Sequence, residues 1–207
     1  MGAVTVLDGG VGHELKRRGV RCSIPGTEEF FMSSALANVE HPEEISRLHG
    51  DFIAAGASII TTNSYVVTPY MIGKFGLDPA RLDELLVAAT ANARAAASAA
   101  LHVKVAGSVP PLRESYQIRD LPPDDEQRET YRRIANVLAP SVDLLLCETL
   151  SSPREARNAA DACGSTGRPT WVSFSLRDDT SARQGRECVW GDAAWPPRTR
   201  DLHLQPA

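Results

Sequence analysis

Two carboxylates in this sequence stand where apolar runs stop. Asp8 closes "VTVL" and is followed by Gly9 and Gly10; Glu148 closes "VDLLLC" and is followed by Thr149. Other apolar runs end in polar groups too: Thr61, Thr62 and Asn63 after "ASII", Gly107-Ser108 after "HVKVA", and Ser173 in "PTWVSFS". Two carboxylates brought together from separate strands can act as an acid and base pair or can clamp a substrate ammonium, and the residues alone leave both open. The hydroxyls and amide of Thr61, Thr62 and Asn63 can hydrogen-bond a ligand, and can equally cap the segment that follows.

Each feature also has a plainer reading. Asp-Gly is a favoured turn pair whose glycines supply positive φ, so Asp8 taken alone is a turn residue. Glu148 resists that reading, because a carboxylate at the end of a buried strand must be solvated at the rim or paired with a cation. Ser108 lies in no G-x-S-x-G elbow and no histidine stands in a triad order, which argues against a nucleophile. His41 and His49 have a spacing that suits no zinc motif and read as surface or boundary residues. Cys147 reads as a small buried hydrophobe.

The elements that must position these groups are legible from periodicity. "AVTVL", "ASIITT", "HVKVAGS", "VDLLLCE" and "PTWVSFS" are nearly continuous in apolar residues, as strands buried on both faces are, which predicts five strands. Between them run helical stripes: Ile45, Leu48, Phe52, Ile53; then Leu82, Leu85, Leu86, Ala89, Ala93; then Tyr131, Ile134, Ala135, Leu138; then Ala156, Ala159, Ala160, Cys163. Asp78-Pro79 reads as an N-cap with proline in the first turn, and Ser152-Pro153-Arg154-Glu155 as a capping box. The alternation predicts an α/β fold with a parallel sheet, either doubly wound or a (β/α)8 barrel. No strand is followed by G-x-G-x-x-G or G-x-x-x-x-G-K-[ST], so the nucleotide-binding open sheets lack support. In both folds the carboxyl ends of the strands carry the site.

The 207 residues, 43% of them hydrophobic, suffice for one globular core. A formal net charge of -4 gives no basic field for a phosphate backbone, so nucleic acid is not an expected partner. The start of the chain lacks the pattern of a secretory signal, and no apolar run approaches the roughly 20 residues that span a bilayer, which predicts a cytoplasmic protein with no membrane partner. Cys22, Cys147, Cys163 and Cys188 are too far apart for a C-x-x-C pair and read as free thiols.

The blocks "LDGGVGHELKRRG", "EHPEEISRLHGDFIAAGASIITTNSYVVTP", "VAGSVPPLRESY", "DLLLCETLSSPREA" and "WVSFSL" resemble, in order and spacing, the homocysteine S-methyltransferase family. The resemblance runs from about Val4 to Leu176. It implies a zinc-dependent (β/α)8 TIM barrel that moves a methyl group from a donor such as S-methylmethionine, S-adenosylmethionine or betaine to the homocysteine thiol, giving methionine. It also implies that Asp8, with Gly9 and Gly10, and Glu148 help hold the amino-acid substrate, with Thr61, Thr62 and Asn63 as rim residues of the second strand.

The family's zinc ligands are implied to be three cysteines in "G-x-N-C" and "G-G-C-C" settings, and neither occurs here; Cys188 in "GRECVWG" has the wrong neighbours. Only about the first five β/α units are expected, as a partial barrel over 1–176. A patternless tail over 177–207 reads as a frameshifted or replaced end, which the coding DNA in other frames would test. Such a piece would expose a sheet edge and an apolar inner face, which predicts self-association and poor solubility. Two functions follow: a zinc-dependent methyltransferase, as the family is, or a non-catalytic remnant that at most binds an amino acid or completes its barrel with a partner; the absent zinc cysteines favour loss of activity in this chain.

Overall fold

The computed structural model describes residues 4–22, 30–116 and 120–175. The patternless tail at 177–207, Cys188 included, lies outside the described residues.

Four parallel strands form one sheet in the order β1 (Ile59–Thr61), β2 (Lys104–Val109), β3 (Leu144–Leu150), β4 (Thr170–Phe174). Seven α-helices are described among and before them: α1 (Val11–Arg17), α2 (Phe30–Glu40), α3 (Pro42–Ala54), α4 (Pro69–Lys74), α5 (Leu82–Ala97), α6 (Asp124–Leu138) and α7 (Pro153–Gly164). Of the five expected strands, the first is reduced to a single parallel bridge between Leu7 and Ile59. Its backbone is nonetheless docked along β1: Ser58 donates its N–H to the Val6 carbonyl at 2.8 Å, and Asp8 donates to the Ile59 carbonyl at 3.0 Å. A short β1 leaves this stretch one residue pair to bridge, and that suffices to fix Asp8 at the strand's end.

Sequential strand order separates the two architectures that periodicity could not. A doubly wound sheet reverses its order and carries helices on both faces. Here one face of the sheet (Ile60, Val105, Val109, Leu145, Cys147, Val172) packs on helix residues such as Leu86, Tyr131, Ile134 and Ala159. The other face is a strand-only cluster of Ile59, Ala106, Leu144 and Leu146, with Leu7 and Trp171 against it. An inner face filled by strand side chains alone is the barrel arrangement.

The helical stripes bury as their spacing requires. Leu82, Leu85, Leu86, Ala89 and Ala93 of α5 are fully buried, as are Tyr131, Ile134, Ala135 and Leu138 of α6. Each leucine so buried contributes about 1.5–3 kcal/mol. Asp78 accepts from the Ala80 N–H at 2.9 Å, opening a short 3-10 turn, Pro79–Arg81, that runs into α5. The capping box before α7 forms by half. Ser152 accepts from the Glu155 N–H at 3.4 Å, but the Glu155 carboxylate turns inward, accepting from the Leu112 N–H and the Tyr131 hydroxyl, each at 2.9 Å. His49 departs further from expectation. It is fully buried, because it shares the inward face of α3 with Ile45 and Leu48.

Candidate functional site

The carboxyl ends of the strands bring Asp8, Thr61, Ser108 and Glu148 onto the inner side of the sheet. Alternation along β3 does this for Glu148: Leu144 and Leu146 face inward, Leu145 and Cys147 face the helices, and Glu148 follows on the inward side. The register between β3 and β4 then shifts between Cys147 and Leu150. Within that irregularity Thr149 sits at φ 59°, a left-handed conformation that a β-branched residue adopts only under strain of roughly 1–3 kcal/mol. Ser173 holds it by accepting the Thr149 N–H at 3.2 Å, and Ser175 donates its hydroxyl to the Thr149 carbonyl at 3.2 Å.

Asp8 is gripped by β1. Thr61 donates its backbone N–H to Oδ2 and its hydroxyl to Oδ1, both at 2.8 Å. The side chain is only 3% exposed, and burial raises its pKa to about 6 against those two bonds. Nδ1 of His49 stands 4.0 Å from Oδ2, too far for a hydrogen bond, and neither ring nitrogen has a partner among the described residues. Burial depresses the His49 pKa to about 4, so at neutral pH it is an uncharged ring beside an ionised Asp8.

Glu148 accepts from the Ser108 hydroxyl at 2.5 Å. Burial raises its pKa, the Ser108 bond opposes this, and the nearby Asp8 charge raises it further. The two carboxyl groups are near enough for the Asp8 charge to act on Glu148. Among the described residues neither has a lysine or arginine counter-charge. A pair of buried carboxyl groups without a cation is the arrangement that an ammonium ligand completes.

Thr62 and Asn63 are placed differently. The Thr62 hydroxyl accepts from the Ser108 N–H at 2.9 Å and pairs with the Ser64 hydroxyl at 2.8 Å. The Asn63 amide donates to the Ser34 carbonyl at 2.6 Å and to Asn38 at 3.3 Å. Both side chains are buried and tie strand ends and α2 together, so they position the rim. Gly9 and Gly10 do not use positive φ; Gly10 lies at φ -70°. They matter for space. A Cβ on Gly9 would come within 3.0 Å of the Phe52 ring, and one on Gly10 within 3.2 Å of the His13 ring.

Sequence reasoning passed over Tyr65, whose hydroxyl meets Ser115 at 2.7 Å and lies near enough to Glu148 and Thr149 for both to affect its pKa, which burial raises. An aromatic residue just beyond "TTN" was the available signal. His49 was also missed as a site neighbour, although its place in the α3 stripe marked it as inward. A cleft of about 330 Å³ opens at the opposite ends of the strands, lined by Lys104, Asp143 and Trp171 among others. Its acid is already spent: Asp143 accepts from Arg94 at 2.9 Å and from the Val105 N–H at 2.7 Å.

The described thiols do not fit a three-thiolate zinc centre at this mouth. Cys147 and Cys163 are buried on the helix side with sulfurs 3.5 Å apart, and Cys22 packs against the α1–α3 layer. No described helix is long and apolar enough to cross a membrane.

Comparison with known proteins bears on this geometry. The family model described as homocysteine S-methyltransferase matches residues 5–190, past the end of the last matching block at Leu176. The homocysteine S-methyltransferase of Escherichia coli (strain K12) is 32% identical over 88% of this chain and 62% of its own length. The homocysteine S-methyltransferase YbgG of Bacillus subtilis (strain 168) is 30% identical over 95% of this chain and 66% of its own. The crystal structure of the Escherichia coli homocysteine methyltransferase MmuM in its metallated form superposes with a TM-score of 0.71, covering 84% of this chain and 64% of that one. The chain thus spans less than two thirds of the length of these relatives.

Proposed function

Since the chain belongs to the homocysteine S-methyltransferase family, we propose that its mouth binds the amino-acid end of homocysteine and that these residues alone do not transfer a methyl group. The observation that carries the reading is the placing of Asp8 and Glu148 on one inner rim, two buried carboxyl groups with no lysine or arginine partner among the described residues. The substrate ammonium supplies the missing cation. Thr61 holds Asp8 in one orientation with two bonds, and Ser108 aims Glu148, so the two carboxyl groups need little reorganisation on binding. Gly9 and Gly10 let the Phe52 and His13 rings pack against the backbone that carries Asp8.

Methyl transfer in the family draws on zinc, which makes a bound thiol a thiolate near neutral pH. The described residues offer no such ligand set here, and no step through zinc is assigned to them. The methyl donor, whether S-methylmethionine, S-adenosylmethionine or betaine, belongs to the same family reading. The edge of β4, which has no further strand beside it among the described residues, supports self-association of the chain.

Calorimetry with L-homocysteine, followed by a methyl-transfer assay in added zinc, tests this. Binding without transfer is expected. Transfer by a protein holding one zinc per chain would overturn the inactive half of the proposal, and absence of binding would overturn the other half.

A further inference from the structure

Away from the mouth, three side chains of different chemistry meet where the segment after α1 crosses the junction of α2 and α3. The Cys22 sulfur, a Glu40 carboxylate oxygen and a His41 ring nitrogen all lie within 4.8 Å of one another. The geometry points to a divalent-cation site of the zinc class on this outer layer, with Cys22, Glu40 and His41 as its three protein ligands. It is independent of the amino-acid reading of the mouth and uses none of its residues.

Thiolate, imidazole and carboxylate together form a ligand set that zinc takes in tetrahedral geometry, with bonds of about 2.0–2.3 Å. Donor atoms around such an ion stand roughly 3.5 Å apart, so the trio needs to close by about 1 Å. Glu40 is exposed and can swing to do so. The other two are already oriented. The Cys22 backbone N–H donates to the Ser33 hydroxyl at 2.8 Å. One ring nitrogen of His41 meets the Arg21 carbonyl at 3.1 Å, the kind of outer contact that fixes the tautomer of a metal-bound imidazole and leaves the other nitrogen to ligate.

Without metal, burial, with the Glu40 charge beside it, raises the Cys22 thiol pKa to about 11 against the opposing effect of Ser33. Arg81 is the cation near enough to feel Glu40. A divalent ion replaces the thiol proton, is neutralised by the thiolate and the carboxylate, and leaves a fourth position for water. Its effect is to reinforce the tie between the segment after α1 and the α2–α3 junction, two pieces that otherwise meet through the Cys22–Ser33 and His41–Arg21 bonds and the apolar cluster of Val11, Leu15, Ala37, Ile45 and Leu48. The set differs from the three cysteines implied for the family.

Cobalt is the probe. Titrating the full-length, reduced chain with Co²⁺ is expected to raise a thiolate charge-transfer band that saturates at one ion per chain and disappears when Zn²⁺ is added. Cys22→Ser should abolish the band. His41→Ala should weaken binding by more than the roughly 10–100-fold typical of losing an outer-shell partner. Cys188→Ser should change nothing. A measurement on the unaltered chain guards against variants that fail to fold: Zn²⁺ should slow alkylation of Cys22 at least about tenfold while leaving Cys188 as it was. A wild-type chain without the band, a band that survives Cys22→Ser, or alkylation of Cys22 indifferent to Zn²⁺ would each overturn the site.

Discussion

Glu148 and Glu155 stand on one β/α unit, and burial raises the pKa of both, yet their partners assign them opposite work. Glu155 is fully enclosed, and one of its oxygens receives the Leu112 N–H and the Tyr131 hydroxyl, joining α6, α7 and the segment after β2. Glu148 keeps part of its surface open, accepts one hydroxyl and faces another carboxylate. A raised carboxyl pKa therefore does not mark a site in this molecule. What marks it is a buried carboxyl group with no cation near it among the described residues, whereas Arg113 and Arg154 act on Glu155.

The largest expected effect lies on the enclosed member. Glu155→Ala strands two donors and should cost about 3 kcal/mol or more in urea unfolding, while Glu155→Gln, which keeps an acceptor, should cost about half that. Glu148→Gln should invert the pattern, leaving stability within about 1 kcal/mol of wild type but weakening homocysteine binding roughly 10–100-fold by calorimetry, the scale of a lost charge-assisted bond. Equal losses of stability in the two Gln variants would erase the distinction.

Binding should also report the mouth by pH. An ammonium needs Asp8 ionised, and with its pKa raised to about 6 affinity should fall about tenfold per pH unit below that value. Asp8→Asn should bind weakly at all pH values.

Stability sharpens the contrast further. Asp8, raised from 3.8 to about 6 in the fold, keeps its proton where the unfolded chain loses it, so its contribution falls as pH rises through that window. His49, depressed from 6.5 to about 4, refuses a proton that the unfolded chain binds, so its contribution rises with pH between those values. The two nearly cancel in the wild type. His49→Gln should unmask a fall in stability from about pH 4 to 6, read as the urea midpoint across that range.

The smallest effect concerns the backbone behind Glu148. Thr149→Gly removes left-handed strain of about 1–3 kcal/mol and adds about 0.5–1 kcal/mol of chain entropy. A net gain of about 1 kcal/mol in stability is expected.

Much of this was legible beforehand because burial writes a period into the chain. The α5 and α6 stripes buried residue by residue, and the strand ends named both carboxylates of the mouth. What stayed hidden depends on contacts between distant segments. The Glu155 side chain read as half of a capping box because its real acceptor role involves Leu112 and Tyr131, far from Ser152 in sequence. Gly9 and Gly10 read as turn glycines, whereas the need is set by the Phe52 and His13 rings. Thr149 has no sequence signal of strain at all. Cys22 and His41 match no short zinc pattern because their proximity comes from how α1, α2 and α3 fold over one another.

The alternation along β3 puts a thiol and a carboxylate on opposite sides of one strand, at Cys147 and Glu148. A single residue inserted or deleted upstream in that strand would exchange them, turning the thiol into the mouth and driving the carboxylate against the sulfur of Cys163. Substitutions in β3 are graded in their consequences; a change of length there is all or nothing.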